Sequence, residues 1–238
     1  MIKIRKARIE DVAYIAEGIY HAFLLEDKAL YDRWIRTLKE VCEQEDTHYS
    51  YRNTWIAEVD GERAGMMIAV DGEHYREQRD KMYPQLKGLF DVAFGKGWDE
   101  MEDEAKAGEF YIDSLAVSLP YRNQGVGTAL IEKAKEMASE LGIVVVTLAV
   151  EPENRAKKLY LRLGFGYKRR IEIFNEEYDR LSKIGDYDMD ALVGKDGAEY
   201  AFENYLHGVD GKAKVDATQC VGCGVCEQKC AFDAITAP

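Results

Sequence analysis

The chain has 238 residues, of which 47% are hydrophobic and 32% charged, a composition typical of a globular protein rather than a disordered one. Its formal net charge of -12 repels nucleic acid and anionic membranes, so we expect neither as a partner. No window approaches the roughly 20 apolar residues that a membrane helix needs, and no signal peptide is recognisable at the N-terminus. We therefore expect a cytoplasmic protein.

The first 70 residues predict alternating strands and helices. Apolar spacing, turn signals and β-branched residues indicate, in order, a strand over 2–7, a helix from Asp11, a second helix over about 27–45, and two strands over 54–59 and 63–70. The last two strands form a hairpin, because Asp60-Gly61 is a tight-turn signal.

A long charged segment, residues 71–108, follows the hairpin. Apolar residues at helical spacing predict a helix over 84–94, with Pro84 at its first position. This helix either covers the sheet or forms a lid over a substrate site.

The middle of the chain predicts a βαβ unit. A strand over 109–118 leads through a glycine turn into a helix that ends near Glu140, and the apolar run 143–150 then forms a strand buried on both faces. The remaining elements are expected as a helix over 153–163, a strand over 165–174 and a last strand over 187–193.

The glycine turn has the composition of a phosphate site. It lies where helix N–H groups lack intrahelical partners, and Gly125 and Gly127 allow close approach of an anion to the backbone. Arg122 adds a guanidinium suited to phosphate oxygens. Two other phosphate motifs are excluded, because neither G-x-G-x-x-G nor Gly-Lys-Ser/Thr is present here. A purely structural turn is the alternative.

Two blocks of sequence resemble the GNAT superfamily of N-acetyltransferases. The first is Y-I-D-S-L-A-V-S-L-P-Y-R-N-Q-G-V-G-T-A-L-I, and the second is L-A-V-E-P-E-N-R-A-K-K-L-Y-L-R-L-G-F. The close match covers about residues 109–166. The resemblance implies an α/β (α+β) fold of the acyl-CoA N-acyltransferase type, with a mixed central sheet flanked by helices. It also implies acetyl-CoA as cosubstrate and a small-molecule or peptide amine as acceptor.

The resemblance also assigns roles by position. The backbone of the strand that contains Leu115, Ala116 and Val117 would hold the pantetheine arm. A backbone N–H near Leu115 would stabilise the oxyanion of the tetrahedral transition state. Tyr160 would be the general acid that protonates the departing thiolate, although a tyrosine on an amphipathic stripe is also simply a core residue. The implied CoA contacts are Leu115, Ala116, Val117, Arg122, Asn123, Gln124, Gly125, Val126, Gly127, Thr128 and Asn154.

The sequence departs from the family at two places. The asparagine of the second block is replaced by Glu153, with Asn154 one residue later, which weakens Asn154 as a CoA contact. The two positions where the family carries a catalytic glutamate are Tyr111 and Ala149 here. Asp113 is therefore the candidate general base, with a surface or hydrogen-bonded aspartate, or an amine that arrives deprotonated, as alternatives.

Four of the five cysteines form a C-x2-C-x2-C-x3-C run typical of a bacterial ferredoxin. Such a run predicts a 4Fe–4S cluster held by Cys220, Cys223, Cys226 and Cys230, with zinc as the alternative. In two-cluster ferredoxins the fourth cysteine serves the other cluster, and this chain has a single run. The fourth ligand is then Cys230 of the same chain, Cys42, or Cys230 of a second subunit in a homodimer; a degenerate segment would bind nothing.

These features predict a GNAT domain over 1–193, a linker over 194–212 and a ferredoxin-like half motif over 213–238. Two functions fit them. The first is an N-acetyltransferase in which the amine attacks the thioester directly and the tail is structural or redox-sensing. The second is a redox-regulatory or electron-transfer protein in which the GNAT fold binds CoA without turnover. The acceptor would lie near the first two helices, close in sequence to Tyr20, His21, Glu26 and Asp27.

Overall fold

The computed structural model describes residues 1–23, 29–97, 100, 102–184, 206–209 and 212–215. The helices in these residues are α1 (Val12–Ala22), α2 (Tyr31–Glu43), α3 (Tyr75–Ala93), α4 (Val126–Glu140) and α5 (Lys157–Arg162). The strands are β1 (Ile2–Lys6), β2 (Thr54–Val59), β3 (Glu62–Asp71), β4 (Glu109–Val117), β5 (Val145–Val150), β6 (Gly166–Ile173), β7 (Glu176–Ile184), β8 (Leu206–Val209) and β9 (Lys212–Val215).

The main sheet has seven strands in the order β1-β2-β3-β4-β5-β7-β6. Its neighbouring strands pair antiparallel except β4 and β5, which are parallel because α4 crosses over between them. The mixed sheet flanked by helices confirms the predicted α/β architecture.

Each face of this sheet has its own hydrophobic core. On one face, α1, α2 and α3 cover β2 and β3 through residues such as Ile19, Trp34 and Phe90, which are at most 1% exposed. On the other face, α4 and α5 cover the centre of the sheet through Leu130 and Tyr160. The sheet therefore separates two helical layers.

The helix predicted over 84–94 is longer than expected. It begins at Tyr75, so Pro84 lies inside it and not at its first position. A proline within a helix lacks one backbone N–H, a loss that burial of one stripe offsets here. The buried residues of α3 are Tyr75, Met82, Leu86, Leu89 and Phe90. This stripe supports a helix that covers the sheet rather than a lid.

A strand that the sequence did not predict, β7, lies between β5 and β6. Its sequence is rich in charged residues, which is typical of an exposed segment, but Asp179, Arg180 and Ser182 are buried. Arg180 donates to Glu109 Oε2 at 2.5 Å and is 2% exposed, so ion pairing makes an interior position available to a charged residue. The strand predicted over 187–193 lies outside the described residues, and β8 and β9 form a separate two-stranded sheet across the predicted boundary at 212/213.

A buried carboxylate fixes the start of α1 to the edge of the sheet. Asp11 is 2% exposed and accepts hydrogen bonds from the side chains of Arg5 at 2.6 Å and Arg63 at 2.8 Å and from the backbone N–H of Arg8. Burial alone would raise the pKa of Asp11, but these donors outweigh it and lower the pKa from 3.8 to about 2.

Replacing Asp11 with Asn should lower the free energy of unfolding at pH 7 by about 2 kcal/mol. The folded-state pKa lies below the unfolded value, so this stabilisation is present at neutral pH and is lost as the pH falls from about 4 towards 2. Urea titrations at several pH values measure the difference in the free energy of unfolding between wild type and variant. Asp60→Asn is the control, since Asp60 is 80% exposed beside the N-terminus and should change little. A difference in the free energy of unfolding that does not diminish at acidic pH would contradict this account.

Candidate active site at the splayed strands

A bulge interrupts β4 at Asp113. On the neighbouring strand β3, Ala69 is opposite Ile112 and Ile68 is opposite Ser114. Asp113 is therefore an extra residue with no partner residue on β3. A bulge bends its strand and increases the local twist. The direction of β4 therefore changes at this residue.

The bulge also shifts the alternation of side chains by one residue. Before it, Phe110 and Ile112 pack in the core beneath α4; after it, Leu115 and Val117 pack there. Ala116 packs in the opposite core, beneath α1 and α2. The bulge thus places the side chains of Asp113 and Ser114 together on the α1–α3 face.

A gap opens between β4 and β5 beyond the bulge. The two strands pair in parallel from Glu109 to Ile112, but β4 continues to Val117. In the described part of the chain, no strand lies against residues 113–117 of β4 on the β5 side. Backbone groups of this stretch therefore lack a partner strand on this side and can pair with an extended ligand.

The glycine turn lies at the entrance to this gap. Gly125 is the N-cap of α4 with φ of 87°, and no side chain caps the helix. Asn123 also has a left-handed conformation, with φ of 60°. The first N–H groups of α4 are therefore exposed to an anion, together with the positive end of the helix dipole.

The three predicted segments converge at Gly127. A Cβ atom there would lie 3.0 Å from Leu159 Cδ2 and 3.9 Å from both Leu115 Cδ2 and Val117 Cγ2. The start of α4 thus contacts the end of β4 and α5, and only glycine permits this approach without displacement of Leu159.

The polar side chains of the turn are exposed, as a ligand site requires. Arg122, Asn123 and Gln124 are exposed, Thr128 is half-buried, and Val126 is buried in the core. Arg122 donates to the carbonyl of Val117 at 3.1 Å, and Gln124 to the carbonyl of Pro120 at 2.7 Å. Arg122 therefore already contacts the free stretch of β4.

Asn154 has a structural role in this arrangement. Its Oδ1 accepts the backbone N–H of Ala156 at 2.9 Å, in the turn that leads into α5. This bond fixes the turn before α5; Asn154 as a CoA contact stays a prediction.

Tyr160 packs in the core beneath α4, to which Leu115 and Val117 also belong. It is 7% exposed and packs edge-on against Phe165 at 6.0 Å. Burial raises the pKa of Tyr160 to about 12, because the phenolate would be poorly solvated there. The phenol therefore stays protonated at neutral pH and can donate a proton.

Asp113 is held by two donors on the opposite face. Its Oδ1 lies 2.9 Å from Nε2 of His48, and its Oδ2 accepts from Ser114 Oγ at 2.6 Å. The side chain of Asp113 is 10% exposed and that of His48 is 2% exposed. No hydrogen bond joins Asp113 to Tyr160 in the described residues, so these two predicted catalytic groups approach the gap from different faces.

Buried hydroxyls and a second carboxylate surround Asp113. Glu104 accepts from Tyr75 at 2.9 Å and from Tyr111 at 2.5 Å. Burial raises the pKa of Glu104, and the negative charge of Asp113 adds to that effect. Tyr111, at a position where the family carries a glutamate, therefore binds a carboxylate instead of being one.

Sequence reasoning missed His48. It lies in the loop between α2 and β2, within Thr-His-Tyr-Ser, where no motif or periodicity marks a functional residue. Of the residues expected near the acceptor, Tyr20 is buried against Tyr31, His21 is exposed, and Glu26 and Asp27 lie outside the described residues.

The cysteine run also lies outside the described residues. Within those residues, no group of three or more His, Cys, Asp and Glu is placed to hold a metal ion, and no helix combines the length and apolar character needed to cross a bilayer. Cys42 is fully buried in the α2 core, and burial raises the pKa of its thiol. This burial argues against Cys42 as a fourth cluster ligand.

Comparison with known proteins identifies the family. The model of the Acetyltransferase (GNAT) family matches residues 19–165, more than half of the chain. The chain belongs to this family. This match confirms the resemblance found in the sequence and the fold that the resemblance implied.

Individual relatives match shorter stretches. N-alpha-acetyltransferase MAK3 of Arabidopsis thaliana is 37% identical over 97 residues, which are 38% of this chain and 50% of that protein. An uncharacterised N-acetyltransferase of Methanocaldococcus jannaschii is 38% identical over 74 residues, 31% of this chain and 30% of that protein. The chain thus spans half or less of the curated relatives it matches.

Solved structures support the fold. The crystal structure of an N-acetyltransferase from Staphylococcus aureus Mu50 superposes with a TM-score of 0.59 at 23% identity, covering 76% of this chain and all of that one. At this identity the likeness concerns the fold alone.

Proposed function

We propose that this protein is an acetyl-CoA-dependent N-acetyltransferase that transfers an acetyl group to a primary amine. The observation that carries the proposal is the gap between β4 and β5, which opens at the bulge beside the uncapped start of α4. A phosphate-binding helix end and a free strand edge are adjacent there, as an elongated acyl carrier with a diphosphate requires.

The cosubstrate would bind along these two elements. Backbone N–H groups from Gly125 to Thr128, with Arg122, would hold the diphosphate of acetyl-CoA. The pantetheine arm would pair with the free backbone of Leu115, Ala116 and Val117. Arg122 would exchange its contact with the Val117 carbonyl for the phosphate oxygens.

The transfer would proceed without a covalent enzyme intermediate. An acceptor that arrives as an ammonium ion first releases one proton to water. The neutral amine nitrogen then attacks the thioester carbonyl carbon, the C–N bond forms, and the tetrahedral oxyanion is stabilised by a backbone N–H near Leu115. The C–S bond then breaks. Asp113 accepts the proton that the amine loses, and Tyr160 donates a proton to the CoA thiolate.

The acceptor class is supported by charge. The net charge of -12 and the carboxylate of Asp113 favour a cationic amine, either a small molecule or the free α-amino group of a peptide. Binding of CoA without turnover, as a redox-regulatory protein would do, is less well supported, because the carboxylate of Asp113 lies at the bulge where the gap opens and a protonated Tyr160 packs in the same core as Leu115 and Val117.

The cysteine segment is proposed to bind a 4Fe–4S cluster through Cys220, Cys223, Cys226 and Cys230. The spacing of the thiols supports this assignment, and zinc is the alternative. Such thiols need a reducing compartment, which supports a cytoplasmic location. If Cys230 serves a second subunit, the protein is a homodimer.

Gly125→Ala should weaken acetyl-CoA binding about tenfold, because a Cβ in the turn obstructs the phosphate and strains a φ of 87°. Gly142→Ala is the matched control, since Gly142 has a φ of 72° just beyond the other end of α4 with open space around it. Both variants should lose about 1 kcal/mol of stability. Calorimetry with acetyl-CoA separates them, and equal affinities would contradict the assignment of the turn.

Tyr160→Phe should lower kcat about 100-fold while acetyl-CoA affinity stays unchanged, because only proton donation to the thiolate is lost. CoA release is measured against spermidine, tyramine, lysine methyl ester and a peptide with a free N-terminus. Tyr167→Phe, at a residue 51% exposed, should retain wild-type kcat. A fully active Tyr160→Phe enzyme would assign Tyr160 to the core alone.

Anaerobically purified protein should contain about four irons and four sulfides per chain if the cluster is present. Cys220→Ser should abolish this content, whereas Cys42→Ser should not, because Cys42 is buried in the core. Zinc instead of iron would support the alternative. Cys230→Ser with unchanged iron content in a monomeric protein would exclude ligand exchange between subunits.

A further inference from the structure

His48 and Asp113 form a buried pair beside the gap. His48 Nε2 lies 2.9 Å from Asp113 Oδ1, and the imidazole is 2% exposed. The other ring nitrogen, Nδ1, is buried without a hydrogen-bond partner in the described residues. A buried polar atom without a protein partner is uncommon.

The position of the ring is set by its loop. Asn53 Nδ2 donates to the carbonyls of Thr47 and His48 at 3.1 Å and to Gln78 Oε1 at 2.9 Å, and the His48 N–H donates to the Gln78 carbonyl at 3.3 Å. These bonds attach the loop to α3. The loop, held by these hydrogen bonds, therefore positions the imidazole beside Asp113.

The surroundings of the ring decide which nitrogen carries the proton. The titratable groups that face it are Asp113 from β4, Tyr75 from α3, Tyr49 from its own loop and Glu104 from the segment before β4. An ionised Asp113 accepts hydrogen bonds only, so Nε2 is the ring nitrogen that donates to it.

We infer that His48 is a positioning residue for the acyl transfer. Its Nε2–H holds Oδ1 of Asp113 while Ser114 holds Oδ2, and the two donors fix the position of the carboxylate at the bulge. The inference rests on the proposed acetyltransferase function.

The proton balance of the step is simple. The neutral amine nitrogen forms a bond to the carbonyl carbon and gives one proton to a remaining lone pair of Asp113. The C–S bond breaks, its electrons leave with the CoA sulfur, and Tyr160 protonates that sulfur. His48 keeps its Nε2 proton throughout and exchanges none with substrate. It acts only by fixing the geometry of Asp113.

Two substitutions separate this role from simple packing. In His48→Gln the amide nitrogen can occupy the place of Nε2 and still donate to Asp113; in His48→Asn it occupies the place of Nδ1 and cannot. We expect His48→Asn to lower kcat about 10- to 100-fold with unchanged KM for acetyl-CoA. His48→Gln should restore most of kcat.

The assay uses acetyl-CoA with the most active amine of the panel above, and acetyl-CoA calorimetry confirms that each variant is folded. Equal loss in both variants, or none in either, would overturn the inference while leaving acyl transfer established. A fully active Asp113→Asn enzyme would overturn it as well. Absence of turnover in wild-type protein that binds acetyl-CoA would instead refute the proposed function, and with it this role.

A second measurement does not depend on activity. Nitrogen-15 spectra of the histidine rings in the intact protein should show His48 protonated at Nε2 and unprotonated at Nδ1 at neutral pH, a signal that disappears in His48→Gln. A proton on Nδ1 alone would overturn the inference, because Nε2 could then not donate to an ionised Asp113.

Discussion

The candidate site depends on one constraint, that β4 stops pairing with β5 at Ile112 although it runs on to Val117. Unpaired backbone inside a sheet is costly unless a ligand or water satisfies it. The bulge at Asp113 causes the separation by bending β4. The same bulge therefore creates the free strand edge and presents the carboxylate next to it.

This constraint explains how one cleft can serve two reactants. The sheet divides the molecule into two helical layers, with Tyr160 in one and Asp113 facing the other. The separated strands connect these layers. A carrier bound along β4 and α4 and an amine arriving from the α1–α3 face would meet at the gap, with a proton donor on one side and a proton acceptor on the other.

The buried charges around the gap are tolerated because each has defined donors. Arg180 pairs with Glu109 where the β4–β5 pairing begins, and Glu104 is bound by Tyr75 and Tyr111. Removing a partner from such a group leaves an uncompensated buried charge, which is strongly destabilising. These pairs hold β4 and β5 together up to Ile112, and the two strands separate beyond that residue.

The sequence by itself determined the βαβ unit, the glycine turn and the family, since these depend on local periodicity and on residues close together in the chain. The longer α3 and the strand β7 were missed, because Pro84 and the charged β7 residues are accommodated only by distant contacts. Only the tertiary structure decided which side chains contact Asp113. His48 lies 65 residues from Asp113 in the chain, and the loop before β2 brings its imidazole to that carboxylate. The bulge shifts the side-chain alternation after Asp113, so Ser114 lies on the same face.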